Sequence, residues 1–369
     1  MDPIKIIISG GGTGGHIFPA VSIANAIKEI EPNAEILFVG AEGRMEMQRV
    51  PDAGYPIKGL PVAGFDRKHL WRNVSVLIKL FKSQQMAAKI VRDFKPDVAV
   101  GVGGYASGPT LKMAQKAGVP TLIQEQNSYA GVTNKLLAKD ANKICVAYDK
   151  MDRFFPKDRI MLTGNPIRQT LLNRTTQAEA RESFGLDAST PTLVVIGGSL
   201  GARTLNEAML AGMKQLADAG IQVIWQTGSY YAKEMETRMA NVPQKPRLYM
   251  GPFIKDMAAA YAAADLVISR AGASSISEIC LLGIASILVP SPNVAEDHQT
   301  KNAMALVEKN AAAYVADVDA IDTLASTALI LLDDEAHLTK MRSNVQKMAH
   351  PDAAAVIAKE VIGLAKAKK

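Results

Sequence analysis

Cysteine, aromatic residues and long apolar runs are all scarce in this chain, and each scarcity removes a class of function. No apolar stretch approaches the roughly 18 residues that a membrane-crossing helix needs, so no transmembrane segment is expected. The 369 residues hold two cysteines, Cys145 and Cys280, both in apolar neighbourhoods and without ligand spacing. That argues against a disulfide framework or a thiolate metal site and for two small core residues. Met1-Asp2-Pro3 runs straight into a strand with neither a basic region nor a cleavage site, so the protein is expected to stay in the cytoplasm. There is no nucleophile elbow, no paired zinc ligands and no Walker lysine. Asp317-Val318-Asp319 resembles a metal-binding pair of aspartates only superficially, because Asp319 stands where it would cap a helix starting near Ala320. Neither a metal nor a cofactor is expected.

Positive charge, by contrast, is plentiful. The formal net charge is +6 and the pI about 9.1, a balance that suits an acidic partner such as nucleic acid or an anionic membrane. Residues 67–95 hold eight basic side chains (Arg67, Lys68, Arg72, Lys79, Lys82, Lys89, Arg92, Lys95) against Asp93 alone, an excess larger than that of the whole chain. Leu70, Trp71, Val74, Leu77, Ile78 and Phe81 fall at helical spacing there and form one apolar stripe, with Arg72, Lys79 and Lys82 away from it. A core helix with a solvated basic face is the plain account. The concentration of charge beside the stripe favours contact with an anionic membrane surface through a patch of Leu70, Trp71 and Phe81. Nucleic acid is not an expected partner, since the cluster lacks interleaved aromatics for base stacking.

The chain is organised around residues 4–19. Ile4 to Ile8 read as a buried parallel strand, and Gly10-Gly11-Gly12-Thr13-Gly14-Gly15 ends it as a loop opening onto a helix over 17–30. A strand, a glycine turn and a helix start make a phosphate site, because glycine lets backbone approach a ligand and the free N–H groups carry partial positive charge. His16 stands directly behind those glycines and can carry a proton near neutral pH. Gly10-x-Gly12-x-x-Gly15 also satisfies the dinucleotide fingerprint, with Glu42 as a ribose-gripping acid at longer spacing than usual, so a nicotinamide-dependent oxidoreductase stays open on these residues.

The same unit recurs along the chain. A strand at 97–100 enters a second glycine loop, Gly101-Val102-Gly103-Gly104-Tyr105-Ala106-Ser107-Gly108-Pro109, and a strand at 119–123 leads into Gln124-Glu125-Gln126-Asn127. Ligands of open α/β sheets bind at such carboxyl ends. Strands at 143–146 and 160–162 complete this half, and Thr163-Gly164-Asn165-Pro166 breaks the pattern. A strand at 192–196, the loop Gly197-Gly198-Ser199-Leu200-Gly201-Ala202-Arg203 and a helix over 204–216 then start the design again, with further strands at 221–226, 247–250, 265–268 and 286–289. The expectation is an α/β chain of two doubly wound parallel-sheet domains, 1–164 and 165–351, facing a cleft, with the terminal segment 352–369 a helix that packs back on the first.

Two stretches of the second half suit a nucleotide sugar. Arg270-Ala271-Gly272-Ala273-Ser274-Ser275-Ile276-Ser277-Glu278 follows a strand and starts a helix, with small residues where a phosphate must approach backbone. Glu278, one turn on, can accept hydrogen bonds from a ribose diol; an acid favoured by the helix dipole is the competing account. Residues 293–302 bring Asp297, His298, Gln299 and Asn302 together, a density of hydrogen-bonding groups that suits sugar hydroxyls or, alternatively, a capping loop.

In order, GGGTGGH, GVGGYASGP, EQN, TGNPIR, GGSLGAR, RAGASSISE and EDHQ resemble the MurG family of glycosyltransferases over essentially the whole chain. The resemblance implies the GT-B fold and an inverting hexosyltransferase that moves N-acetylglucosamine from UDP-GlcNAc to lipid I, an undecaprenyl-diphosphate-linked acceptor, making lipid II for peptidoglycan. It implies donor contacts at Thr13, Gly14, Gly15, Asn127, Arg168, Ser199, Ile254, Ala273, Ser274, Ser275, Ile276, Ser277, Glu278 and Gln299. Of these, Arg168 and Ile254 lie on no loop that the residues themselves single out. Gly103, Gly104 and Tyr105 fall to the acceptor, and family members attach to the cytoplasmic face of the bacterial plasma membrane. Leu200 stands where many members have Gln, so no polar contact is expected there. Ala273-Ser274-Ser275 replaces the commoner Ala-Leu-Thr but keeps small size and a hydroxyl. An inverting displacement needs a base, for which His16 is the first candidate and Glu125 the second.

Overall fold

A computed structural model describes residues 3–62, 73–167, 169–172 and 175–368. It divides into two units, Met1–Arg168 together with His350–Lys369, and Gln169–Ala349. In the first unit β1 (Lys5–Ser9), β2 (Glu35–Ala41), β3 (Ile57–Leu60), β4 (Val98–Gly101), β5 (Thr121–Glu125), β6 (Lys143–Val146) and β7 (Ile160–Leu162) form a parallel sheet in the order β3-β2-β1-β4-β5-β6-β7. Its helices are α1 (Gly14–Ile30), α2 (Glu46–Asp52), α3 (Asn73–Phe94), α4 (Ser107–Lys116) and α5 (Val132–Leu137).

The unbroken apolar run of β1 follows from burial on both faces. Ile6 and Ile8 point to one side, into a core with Ile17, Ile23 and Ile27 of α1. Ile7 points to the other, against Ala87, Ile90 and Val91 of α3. α3 runs further than its apolar stripe suggests, and it does not bury all of that stripe. Val76, Ala87, Ile90 and Val91 turn inward, whereas Ile78 and Phe81 are 65% and 63% exposed. Leu70 and Trp71 lie outside the described residues.

In the second unit β8 (Thr192–Ile196), β9 (Gln222–Gln226), β10 (Leu248–Gly251), β11 (Leu266–Ser269), β12 (Ser286–Leu288) and β13 (Ala313–Tyr314) take the order β10-β9-β8-β11-β12-β13, again parallel. The helices are α6 (Gln177–Ser183), α7 (Arg203–Asp218), α8 (Ala232–Ala240), α9 (Met257–Ala263), α10 (Ala273–Leu282), α11 (His298–Val307), α12 (Ala320–Asp333) and α13 (Glu335–Gln346). The edge strands β3 and β13 are not signalled in the sequence, being too short and mixed to show a period.

The last helix, α14 (Ala353–Lys368), belongs to the first unit. Ile357, Ala358, Val361 and Ala365 enter the β1 and α1 core, and Lys366 pairs with Glu31. Gly164 sits so close to His350 that an added Cβ would lie 2.2 Å from that side chain.

Cys145 in β6 and Cys280 in α10 are both buried, and burial pushes each thiol up to about 12. The native protein should therefore leave both unreactive toward a chromogenic disulfide reagent at pH 8, and guanidinium should release two equivalents of thiol. A rapidly titrating thiol in the folded protein would contradict this packing.

Candidate functional site

Strand order fixes where loops converge. β1 lies between β2 and β4, so the chain leaves β1 and β4 in opposite directions and opens a crevice at their carboxyl ends. Both glycine loops of the first unit occupy that point and pack backbone to backbone, since a Cβ on Gly104 would lie 2.3 Å from the Gly11 carbonyl oxygen. Positive φ at Gly12 (+90) and Gly104 (+86) makes glycine the residue for both turns.

Close approach at Gly11 and Gly12 serves a side chain, which corrects the reading of these glycines as a direct phosphate cradle. Glu46 of α2, fully buried, accepts from the Gly12 N–H at 2.8 Å and from the Ala41 N–H at 2.9 Å. A Cβ on Gly11 would sit 2.2 Å from its carboxylate. The turn that follows is built differently. Thr13 is an extended N-cap whose carbonyl accepts from His16 and Ile17, and Gly14 and Gly15 open α1 without acid in the first turn. Helix amides at these positions have no carbonyl behind them.

His16 belongs to the first turn of α1 rather than to the loop. Its Nδ1 lies 3.0 Å from the Gly11 carbonyl and 3.4 Å from the Thr13 hydroxyl. A carbonyl only accepts, so Nδ1 carries hydrogen and the lone pair of the neutral ring is on Nε2. That Nε2 lies against Gly103, where an added Cβ would come within 2.9 Å. Tyr105, the next residue but one, is 54% exposed.

Glu125 is brought to the same crevice but is built differently. Its carboxylate accepts from the Asn127 N–H at 3.1 Å, the Gly131 N–H at 3.0 Å and the Asn134 side chain at 2.8 Å. This buried carboxylate ties together the loop that carries Asn127. Asn165 joins this loop to the domain end, donating to the Gln126 carbonyl at 3.0 Å and accepting from Gln124 at 2.9 Å.

The second unit repeats the geometry at β8 and β11. Ser199 lies in the loop after β8 and the Ala273 to Glu278 run opens α10 behind Gly272, with no acid in the first turn. Ser277 donates back to the Ala273 carbonyl at 2.8 Å. The buried Ser274 hydroxyl finds no hydrogen-bond partner among the described residues. Glu278 is 8% exposed and accepts from the Tyr261 hydroxyl at 2.9 Å. Ala273 and Ile276 are buried and Ser275 half-buried at the same helix start. Gln299 opens α11 and accepts from the Ser291 N–H at 2.8 Å. Ile254 is fully buried, its N–H donating to Gln226 at 2.9 Å, which leaves its carbonyl as the group it can offer a ligand. Arg168 lies outside the described residues.

Two further residues, Gln226 and Arg270, hold this edge together, and the sequence signals no structural role for either. Gln226 donates to the Gly198 carbonyl at 2.9 Å while accepting from Ile254, joining the loops after β8, β9 and β10. Arg270 donates to the carbonyls of Val289 and Pro290, both at 3.1 Å, and pairs with Asp317. Asp317, which also accepts from Thr204 at 3.0 Å, is the structural member of the Asp317-Val318-Asp319 pair. Asp319 occupies the N-cap of α12, which starts at Ala320 as the sequence indicates, though its side chain makes no capping bond.

Residues 6–146 match the glycosyltransferase family 28 N-terminal domain and residues 192–357 the glycosyltransferase family 28 C-terminal domain. The chain is similar to a protein of Phocaeicola vulgatus named UDP-N-acetylglucosamine--N-acetylmuramyl-(pentapeptide) pyrophosphoryl-undecaprenol N-acetylglucosamine transferase, at 65% identity over 98% of this chain and 96% of that one. A protein of the same name from Porphyromonas gingivalis is 52% identical over 99% of this chain and 97% of its own. The crystal structure of Acinetobacter baumannii MurG superposes with a TM-score of 0.80 at 29% identity, covering 98% of this chain and all of that one. None of these relatives supports the oxidoreductase alternative.

Proposed function

The chain belongs to glycosyltransferase family 28, and on that premise we propose that it transfers N-acetylglucosamine from UDP-GlcNAc to the C4 hydroxyl of the N-acetylmuramyl sugar of lipid I, forming lipid II and UDP. The observation that carries this reading is the likeness, end to end, to transferases whose name states that reaction. The first unit takes the acceptor at the paired glycine loops, including Gly103, Gly104 and Tyr105, and the second takes the nucleotide sugar.

The chemistry is a displacement at the anomeric carbon. The acceptor oxygen forms the new C–O bond as the bond to the β-phosphate oxygen breaks, and that electron pair leaves with UDP. His16 Nε2 takes the hydroxyl proton. The N-terminus of α10, with the Ser274 and Ser275 hydroxyls and Arg168, stabilises the charge that grows on the leaving diphosphate. Turnover should accordingly survive EDTA. Thr13, Gly14, Gly15, Asn127, Ser199, the Ile254 carbonyl, Ile276, Ser277, Glu278 and Gln299 complete the donor contacts.

Membrane association belongs to the same proposal. No helix of the described residues is long and apolar enough to cross a bilayer. Exposed Ile78 and Phe81 next to exposed Lys79 and Lys82 support a peripheral contact with the anionic cytoplasmic surface, continued by Leu70 and Trp71. No nucleic-acid partner enters this reading.

Incubation with UDP-GlcNAc and lipid I should release UDP and yield lipid II; the absence of product would overturn the assignment. At a hundredfold excess over its Kd, UDP should add about 2.7 kcal/mol to the stability of the unit it binds, whereas NAD should leave the melting temperature unchanged. Ser274→Ala removes one hydrogen bond to a charged group, so UDP should bind about tenfold more weakly.

A further inference from the structure

The Gly11–Gly12 peptide is held at both ends. Its N–H, contributed by Gly12, donates to Glu46 Oε2 at 2.8 Å, and its C=O, contributed by Gly11, accepts from His16 Nδ1 at 3.0 Å. In a trans peptide the two groups point in opposite directions, so one planar unit lies between a buried carboxylate and the imidazole. We propose that Glu46 is a positioning residue for His16, acting through this peptide to hold the ring as the Nδ1–H tautomer and to stabilise the imidazolium formed when Nε2 receives the acceptor proton. This rests on the reading of His16 as the base.

The physics is that of coupled hydrogen bonds. A carboxylate accepting from an N–H polarises the peptide and puts more negative charge on its carbonyl oxygen, which strengthens the bond from Nδ1. The arrangement works as an acid behind a catalytic imidazole does, with one amide interposed. The sequence around it suits nothing else. A side chain at Gly11 would collide with the Glu46 carboxylate, one at Gly40 would come 2.6 Å from Glu46 Cγ, and Gly12 has φ +90. Gly11 and Gly40 thus leave room for one side chain, and Gly12 supplies the left-handed turn that aims its N–H at the carboxylate.

Other charged groups on neighbouring elements are committed elsewhere. On α2, Arg49 pairs with Asp52 at 3.6 Å. Glu125, at the end of β5, is taken up by Asn127, Gly131 and Asn134. On α14, Glu360 pairs with Lys143 and Lys366 with Glu31, at the far end of α1 where Lys28 also lies. Glu42 and Arg44, on the loop between β2 and α2, are exposed, as is Tyr105 on the second glycine loop. Glu46 is a negative charge coupled to His16 through two hydrogen bonds and one peptide.

The test reads His16 directly as well as through turnover. In 15N-labelled wild-type protein, with His16 assigned by its loss in His16→Gln, the neutral ring should be the Nδ1–H tautomer; an Nε2–H tautomer overturns the proposal even if no Glu46 variant folds. In Glu46→Gln the His16 titration midpoint should fall by about one pH unit, the scale of a unit charge removed at two hydrogen-bond lengths. The acid limb of kcat against pH should fall with it. An unmoved His16 midpoint in a folded Glu46→Gln protein overturns the coupling. If the midpoint moves but the kinetic limb does not, the coupling stands and the assignment of His16 as base fails.

Discussion

Replacing His16 with alanine should lower kcat by about a hundred- to ten-thousand-fold, the range supplied by a positioned general base, while leaving the protein folded. The ring is half-buried at a helix start and lies outside the core of β1, α1 and α14, so its removal forfeits one hydrogen bond to the Gly11 carbonyl and little packing. The acid limb of the pH profile should vanish with the imidazole. Steady-state release of UDP across pH 5 to 9 measures both. Full turnover with an unaltered profile would remove His16 from the chemistry and leave the glycine loops as binding elements alone.

The second large effect is expected at Gly228→Ala, a position remote from any reacting atom. Gly228 (φ +84) and Gly201 (φ +92) interlock: a Cβ on Gly228 would lie 2.0 Å from the Gly201 nitrogen, and one on Gly201 would lie 2.2 Å from the Thr227 carbonyl oxygen. The atoms met are backbone on both sides, so neither loop can yield by turning a side chain. Strain at a left-handed position costs roughly 1–3 kcal/mol, and overpacking adds about 1–3 kcal/mol. With roughly 2–4 °C per kcal/mol for a unit of this size, the melting temperature should fall by on the order of 10 °C. The loop that carries Ser199 is displaced in the same step, so UDP should no longer stabilise what remains folded. Gly220→Ala separates the two contributions. It has a similar φ (+68) and nothing within 4 Å, so it should show the strain alone and keep its response to UDP. Equal losses in the two variants would mean that the interlocked loops are not rigid.

Both predictions concern glycines or their neighbours, and glycine shows where the sequence stops being informative. A run such as Gly10 to Gly15 after an apolar strand announces a loop at a sheet edge, because glycine there is a local requirement of the turn. What approaches the glycine is a tertiary matter. At Gly11 it is the carboxylate of Glu46, at Gly104 the Gly11 carbonyl, and at Gly103 the ring of His16, none of which shares a local pattern with the glycine it contacts. The same limit hides Gln226, which joins three loops through a carboxamide indistinguishable in sequence from any other strand-end Gln. It also hides the role of Arg270, the first residue of a recognised motif yet spent on two carbonyls and Asp317.

The sequence by itself determined the alternation of buried strand, glycine loop and helix, the two-fold repetition of that unit and the family to which its motifs point. These depend on side-chain period and backbone permissiveness, which neighbours along the chain express together. Tertiary structure alone decided that Glu125 accepts from the loop after β5 while His16 keeps Nε2 toward Gly103, that a buried acid on α2 stands behind that imidazole, and that Ile78 and Phe81 of the expected apolar stripe are left exposed. Those outcomes depend on hydrogen bonds and packing between residues far apart in sequence, whose partners are set only when the strand order brings their loops to one edge of the sheet.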